Sequence, residues 1–198
     1  PSRLQDMEVS EDSAMGRVDA WYEGLQMFFA DPVFGIGAGG YSDLNQLTAH
    51  NSFVLVLTET GFIGFMLWIA FVGYGFRMLL AVLDEPRDIG LTGWVPDEAS
   101  DADLLELQRE WTFDRKLALA LFLSMCGFFA CAFFLSRGYV VILYLQAALV
   151  VAYYTMMRAR YPDLPEFKLG NDILRWPIYA AIGVVLLIIV VKVLFALS

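Results

Sequence analysis

Four long apolar stretches constrain the fold of this chain more than any other feature. They occupy residues 61–82, 117–135, 138–157 and 177–197. Each is close to the ~20 residues that a helix needs to cross the hydrocarbon core of a bilayer. A helix satisfies its own backbone hydrogen bonds in that core, where no water is available. The sequence therefore predicts an all-α, polytopic membrane protein with four transmembrane helices.

Composition supports this class of protein. Hydrophobic residues make up 59% of the chain, which argues against a soluble domain. The net charge of -9 disfavours a nucleic-acid partner, because such a partner calls for clustered Lys and Arg. Cys126 and Cys131 fall inside an apolar run and indicate nothing about redox compartment. No signal peptide opens the sequence, so we expect the C-terminal part of a longer polytopic protein.

The apolar stretches divide the chain into six predicted segments. A periplasmic loop with short helices and a glycine-rich turn comes first and precedes a transmembrane helix. An acidic cytoplasmic loop with an amphipathic helix, a transmembrane hairpin, a second cytoplasmic loop and a last transmembrane helix follow. The predicted bounds are 1–60, 61–83, 84–116, 117–157, 158–176 and 177–198.

Basic residues set this predicted orientation. They concentrate in the loops at 84–116 and 158–176, whereas the first segment holds only Arg3 and Arg17 and the hairpin turn only Arg137. The positive-inside rule assigns basic loops to the cytoplasm. We therefore expect the first segment and the hairpin turn on the periplasmic side.

A helix is expected within the first segment. Residues 1–12 lack periodicity and predict a loose lead-in. From Ser13, a candidate N-cap, apolar residues recur at spacings of three and four along one face. The pair Asp31-Pro32 ends this helix, because the residue before a proline disfavours the α region.

A glycine-rich turn and a second helix follow. The run GIGAGG at 35–40 is too rich in glycine for a regular element and predicts a compact turn. Residues 47–60 predict a short helix that leads into the first span, with Thr48 or Asn51 as its cap and Gly61 as a stop or hinge. A short strand is the alternative for the middle of this stretch.

Two further helix starts can be read from capping patterns. Ser100 and Asp103 resemble a capping box and predict the start of the amphipathic helix in the acidic loop. The pair Trp176-Pro177 predicts the start of the last span, with an interfacial tryptophan and a proline in the first turn.

The two strongest chemical candidates lie before the first span. His50, the only histidine, can accept a proton from a hydroxyl near neutral pH. A helix-cap or interfacial histidine with no reaction to run is the alternative. Arg17 carries a fork of donors suited to phosphate or pyrophosphate oxygens. A surface ion pair with Asp19 or Glu23 is the alternative for Arg17.

Weaker candidates surround these two. Backbone N–H groups of GIGAGG, at Gly37 and Gly39, could cradle a phosphate, or the run could be a plain flexible turn. Arg137 either anchors the hairpin at the lipid headgroups or adds positive charge near the site. Glu59 could orient His50 or simply lie at the membrane boundary. One histidine and two membrane-buried cysteines form no metal site of the usual kinds, so we expect neither metal nor cofactor.

Four motifs follow one another over residues 16–70. They are Arg17 followed by Trp21, then DPVFGIGAGGY, then AHNSFV with its histidine, then ETGFIGFML leading into a span. In this order they resemble the C-terminal half of the O-antigen ligase and O-antigen polymerase family. Asp31 stands where the family more commonly has histidine. Earlier spans of that family, with another functional arginine, have no counterpart in this sequence.

The resemblance implies a glycosyltransferase of the bacterial inner membrane that takes a glycan from an undecaprenyl-pyrophosphate carrier on the periplasmic side. Lipid A-core or another glycan would be the acceptor. Repeat-unit polymerisation and glycan transfer onto protein are alternatives, as is a non-catalytic scaffold whose outer loop only binds membrane lipids.

The same resemblance implies roles for individual residues. His50 is expected to assist attack by the acceptor hydroxyl, and Arg17 is expected to bind the donor pyrophosphate. Together with the weaker candidates above, the residues predicted to bind substrate are Arg17, Gly37, Gly39, Asn51 and Arg137.

Overall fold

The computed structural model describes residues 2–44, 49–85, 100–135 and 140–197, and every regular element in these ranges is helical. The α-helices are α1 (Ser2–Ala30), α2 (Gly40–Leu44), α3 (Ser52–Leu83), α4 (Asp101–Phe134), α5 (Val141–Arg160) and α6 (Arg175–Leu197), and a short 3-10 helix (Leu169–Asp172) precedes α6. The prediction of an all-α fold is confirmed for this part of the chain.

The four predicted spans are also confirmed. Helices α3, α4, α5 and α6 are long and apolar enough to cross a membrane. The protein is therefore a multi-pass membrane protein. The predicted hairpin turn at Ser136-Arg137 lies outside the described residues, as does the part of the acidic loop at 86–99.

Helix α1 begins earlier than the periodicity predicts. It runs from Ser2, so the prediction of a loose lead-in and of a cap at Ser13 is wrong. Residues 2–15 contain no glycine or proline, and intrinsic propensity can carry a helix where no amphipathic pattern is present. The predicted end is confirmed, because α1 stops at Ala30, before Asp31-Pro32.

Helix α4 joins two predicted elements. The capping box is confirmed, since Ser100 Oγ lies 2.7 Å from Asp103 Oδ2 and the Asp103 N–H donates to Ser100 Oγ at 3.3 Å. The amphipathic helix and the second span were predicted as separate elements, but one helix of 34 residues contains both. No glycine or proline interrupts residues 101–126, so nothing in the sequence ends the helix between them.

Helix α3 begins and bends where the sequence predicts. Asn51 caps it, with Oδ1 accepting from the N–H groups of Phe53 at 2.9 Å and Val54 at 3.1 Å. Gly61 has φ 62° and ψ -167°, which breaks the helix at that point. The helical prediction for this stretch is therefore confirmed over the strand, whereas Thr48 lies outside the described residues.

The chain divides into two compact units. The first consists of Pro1–Phe71, Phe129–Val140 and Lys168–Ser198, and the second of Val72–Phe128 and Val141–Phe167. Aromatic side chains form much of the first unit's core: Trp21, Phe53, Trp68, Phe129 and Phe133. Helix α6 packs on α1 in this unit, where Phe195 stacks on Tyr22 at 4.4 Å between ring centroids.

The second unit has a polar cluster at its centre. Trp111 packs edge-on against Tyr161 at 5.0 Å between centroids. Beside them the buried carboxylate of Asp114 accepts from Arg160 at 3.0 Å and from the Tyr161 hydroxyl at 3.4 Å. Burial and the nearby Asp114 charge raise the pKa of Tyr161. The Tyr153 hydroxyl donates to the Asp114 carbonyl at 2.8 Å.

Candidate functional site

The glycine-rich turn completes the hydrogen bonds that the break in α3 leaves open. In a regular helix the N–H groups of residues 62 and 63 would bond to the carbonyls of residues 58 and 59. Here all four groups bond to the preceding loop instead: Phe62 N–H to Pro32 O (2.8 Å), Ile63 N–H to Val33 O (3.3 Å), Ile36 N–H to Thr58 O (3.1 Å) and Gly37 N–H to Glu59 O (3.0 Å). The loop is thereby fixed to the helix.

This arrangement requires glycine on both sides. A Cβ at Gly35 would lie 2.5 Å from Gly61 N and from Thr58 O, and a Cβ at Gly61 would lie 2.5 Å from Gly35 N and from Val33 O. Gly35 has φ 70°, in the left-handed region that glycine adopts at low cost. The backbones of the turn and of α3 therefore touch directly, with no room for a side chain between them.

Glu59 ties the rest of the turn to α3. Its buried carboxylate accepts from the Gly39 N–H at 3.0 Å and from the backbone of Tyr41. Glu59 therefore positions the turn, a role that neither sequence interpretation had given it. The N–H groups of Gly37 and Gly39 both donate to Glu59, so a phosphate could use them only by replacing those bonds. Substrate contacts at these two glycines remain a prediction.

Helix α1 packs closely along the first half of α3. The Thr58 hydroxyl donates to Gly24 O at 3.0 Å, and a Cβ at Gly24 would lie 2.7 Å from the Val54 side chain. Further along the chain, Pro32 bonds to Phe62. Later residues of the first segment thus contact later residues of the second. This order means that α1 and the start of α3 run parallel.

The parallel helices indicate where Arg17 and His50 lie relative to each other. Arg17 lies two helical turns before Gly24, and His50 lies about one turn before Val54. Gly24 and Val54 are one of the contacts between the two helices. Arg17 and His50 therefore both lie in the first unit, towards the N-terminal end of the same helix pair.

Arg17 lies on the exposed surface of α1. Its side chain is exposed on α1, and within the described residues no carboxylate forms an ion pair with it. Asp19 and Glu23 lie two and six positions further on, spacings at which helical side chains do not face each other. The alternative of a surface ion pair therefore has no support in the described part of the chain.

His50 has an unusual backbone conformation. Its φ is 47°, and of the described residues other than glycine it alone has a positive φ. Histidine is one of the residues that enter this left-handed region more often than most. The half-buried His50 directly precedes the Asn51 cap, so the chain turns sharply at the start of α3. Such backbone strain is concentrated at functional sites in proteins.

Two buried donors near this end have no acceptor. Asn51 Nδ2 and Trp21 Nε1 are both buried without a hydrogen-bond partner. Trp21 lies one turn before Gly24, and its ring packs edge-on against Phe133 at 5.6 Å. Buried polar groups without partners are rare and call for an explanation, such as a ligand that they bind. The sequence gives no signal for the unused N–H of Trp21.

Residues 2–69 match the family model for O-antigen ligase. No curated protein and no solved structure matches the chain. The O-antigen ligase match confirms the resemblance that the motifs predicted over residues 16–70. It supports a role like that of a membrane glycosyltransferase.

The O-antigen ligase match covers roughly a third of the chain, from α1 to the first half of α3. It includes Arg17, the glycine-rich turn, His50 and Asn51. Arg137 lies beyond it and outside the described residues, so its contact with substrate remains a prediction. The described residues contain no group of three or more His, Cys, Asp or Glu side chains that could hold a metal ion.

Proposed function

We propose that the protein transfers a glycan from an undecaprenyl-pyrophosphate carrier to an acceptor hydroxyl on the periplasmic face of the bacterial inner membrane. The acceptor would be lipid A-core or another glycan. One observation carries the proposal: the segment that matches O-antigen ligase is the segment in which α1 and α3 run in parallel, with Arg17 and His50 towards the same end.

Arg17 would bind the donor. As the bond between the sugar and the pyrophosphate breaks, negative charge builds up on the leaving oxygen. A guanidinium stabilises such a group through bidentate, charge-assisted hydrogen bonds. The exposed position of Arg17, without an ion pair in the described part of the chain, supports this role.

His50 would act on the acceptor. Its imidazole would accept the proton of the attacking hydroxyl while the new bond to the sugar forms, or would orient that hydroxyl. The neighbouring Asn51 has an unused Nδ2 donor that could hold a sugar oxygen. The left-handed backbone at His50 supports the role, because such strain is concentrated at functional sites.

The orientation rests on charge. The two loops rich in Lys and Arg would lie in the cytoplasm, so the segment with Arg17 and His50 would face the periplasm. Lipid-linked glycan on that side would then reach the site from the outer leaflet of the membrane.

Transfer assays on the full-length protein in proteoliposomes, with lipid-linked glycan and acceptor, test the assignment. We expect His50→Asn to lower kcat by about 10²- to 10⁴-fold, the usual contribution of a general base. Asparagine is the chosen replacement because it also accepts the left-handed backbone. Arg17→Gln should raise the donor KM and lower kcat, and Arg17→Lys should recover part of the loss.

Asp19→Asn is the matched control, since it changes an exposed charge on the same turn of α1 and should leave transfer unchanged. Full activity in both His50→Asn and Arg17→Gln would show that the two role assignments are wrong. The length of the product separates the related activities, because a polymerase extends a repeat-unit ladder, whereas a ligase adds one glycan to its acceptor. Transfer to a peptide would indicate protein glycosylation.

A further inference from the structure

Two adjoining grooves lie along α4 in the second unit. Their volumes are 570 and 490 Å³, and they share Gln108, Thr112 and Lys116. Arg115 lines the first and Arg109 the second, and no Asp or Glu is among the described residues that line either. We call the two together the basic groove. Its composition is unusual in a chain with 22 acidic and 13 basic residues.

The length of α4 determines where the basic groove lies relative to a bilayer. A helix of 34 residues is about 51 Å long, whereas the hydrocarbon core is only ~30 Å thick. One end must therefore project into the headgroups or beyond. The apolar part begins at Leu117, so the projecting end is the one that contains the basic groove.

A contact with α3 fixes the same level independently. Arg115 Nη2 donates to Leu83 O at 2.6 Å, and Leu83 is the last residue of α3. The chain changes there from an apolar run to Asp84 and Glu85. Two neighbouring helices thus pass from apolar to polar sequence beside Arg115, which marks this level as the membrane–water interface.

The cations of the basic groove form no ion pair with a carboxylate in the part of the chain that the structure describes. Within the described ranges no carboxylate forms an ion pair with Arg109 or Lys116, and the one recorded bond of Arg115 is to a backbone carbonyl. Arg160, on a neighbouring helix of the same unit, instead pairs with Asp114 at 3.0 Å. Arg109, Thr112 and Lys116 follow each other at spacings of three and four, so they share one face of α4.

We propose that the basic groove binds the headgroup of an anionic phospholipid. Lys116 and Arg109 would contact the phosphate, and the Gln108 side-chain amide would donate a hydrogen bond to one of its oxygens. Exposed apolar side chains adjoin the cations, as at Leu119, and suit the acyl chains of the same lipid. Basic pockets of this kind at the ends of transmembrane helices are known to recognise anionic headgroups.

The proposal can be tested by measuring which phospholipid the protein retains. The full chain is reconstituted with equal amounts of phosphatidylglycerol and phosphatidylcholine, extracted in a neutral detergent, and its bound lipids are counted by mass spectrometry. Wild type should retain phosphatidylglycerol preferentially. Lys116→Gln should lower that retention about fivefold, because a basic residue near the surface contributes ≈ 1 kcal/mol of attraction. The double variant with Lys116→Gln and Arg109→Gln should retain still less phosphatidylglycerol. Lys116→Arg keeps the positive charge and should retain as much as wild type.

Lys192→Gln, on α6, is the matched control because it removes an exposed cation outside the basic groove. Its retention of phosphatidylglycerol should equal that of wild type. Equal retention of both lipids by wild type, or an equal loss in Lys192→Gln, would overturn the proposal. Displacement of the lipid by inorganic phosphate at the same concentration would also overturn it, since the groove would then take a soluble anion. Thermal unfolding checks that each variant is folded.

Discussion

One polar cluster in each unit shows a difference in how buried groups are bonded. In the second unit the buried Asp114 receives Arg160 and Tyr161 on its carboxylate and Tyr153 on its carbonyl. In the first unit the N–H groups of Asn51 Nδ2 and Trp21 Nε1 are buried without an acceptor. The groups around Asp114 hydrogen-bond to each other, whereas these two donors have no acceptor in the fold.

Whether a buried polar group is hydrogen-bonded within the protein indicates a structural role better than its residue type does. An arginine, an aspartate and two tyrosines would look like a site on chemistry alone, yet their bonds are to each other. Satisfied buried networks stabilise one packing arrangement, whereas an unsatisfied donor costs stability unless something binds it. We therefore assign the Asp114 cluster to the fold, whereas ligand binding around Asn51 remains a proposal.

The largest expected effect on stability falls on the contact between the turn and α3. Gly35→Ala should lower the free energy of unfolding by about 2–5 kcal/mol, because it combines a left-handed alanine with a backbone overlap. Gly37→Ala is the control. Its φ is also positive, at 91°, but a Cβ there meets nothing within 4 Å, so about 1 kcal/mol is expected. Equal losses in thermal unfolding would contradict the close approach.

Sequence reasoning found this contact only in part. Gly61 was identified as a hinge because glycine at the end of a helical pattern is a local signal. Its partner Gly35 lies 26 positions earlier, and nothing in a single sequence shows that two backbones so far apart will touch. The role of Glu59 was missed for the same reason, because its bond to Gly39 is also a contact between distant segments.

Asp114 gives the next largest effect and tests the second unit. Asp114→Ala should cost about 1–3 kcal/mol, since it leaves the Tyr161 hydroxyl without its acceptor and removes the closer carboxylate partner of Arg160. Glu110→Gln removes a half-exposed partner of Arg160 at 3.7 Å and should cost less than about 0.5 kcal/mol. The comparison uses chemical denaturation in detergent. A large effect from Glu110 and none from Asp114 would reverse our assignment of the cluster's centre.

A smaller effect is expected at the start of α3, where stability and binding should separate. Asn51→Ala loses the cap and should cost about 1 kcal/mol. Asn51→Ser keeps a capping oxygen but has no amide donor, so its stability should lie within about 0.5 kcal/mol of wild type. Glycan transfer should fall in both variants if Nδ2 binds substrate. Unchanged transfer in Asn51→Ser would mean that the unused donor has no ligand.

Local signals explain which other predictions were right. Apolar length predicted all four spans, and the side chains of Ser100 and Asn51 predicted two helix starts. The early start of α1 was missed because amphipathic periodicity detects only a helix with one buried face. The sequence alone gives no spatial relation between Arg17 and His50. The structure adds the parallel packing at Gly24 and Val54 that relates them.

The smallest effect on stability is expected at Tyr161. Its dependence on pH tests whether the hydroxyl is held by burial and by Asp114. At pH 7 Tyr161→Phe should cost less than about 1 kcal/mol, because the hydrogen bond to Asp114 is long, at 3.4 Å. The pKa of Tyr161 is raised in the folded protein, so in the unfolded chain the phenol ionises first, near its usual pKa of about 10. Wild type therefore loses stability as the pH rises above about 10, whereas phenylalanine cannot ionise. The gap between the two unfolding midpoints should close as the pH rises through this range, and a constant gap would mean that Asp114 and burial do not act on the phenol.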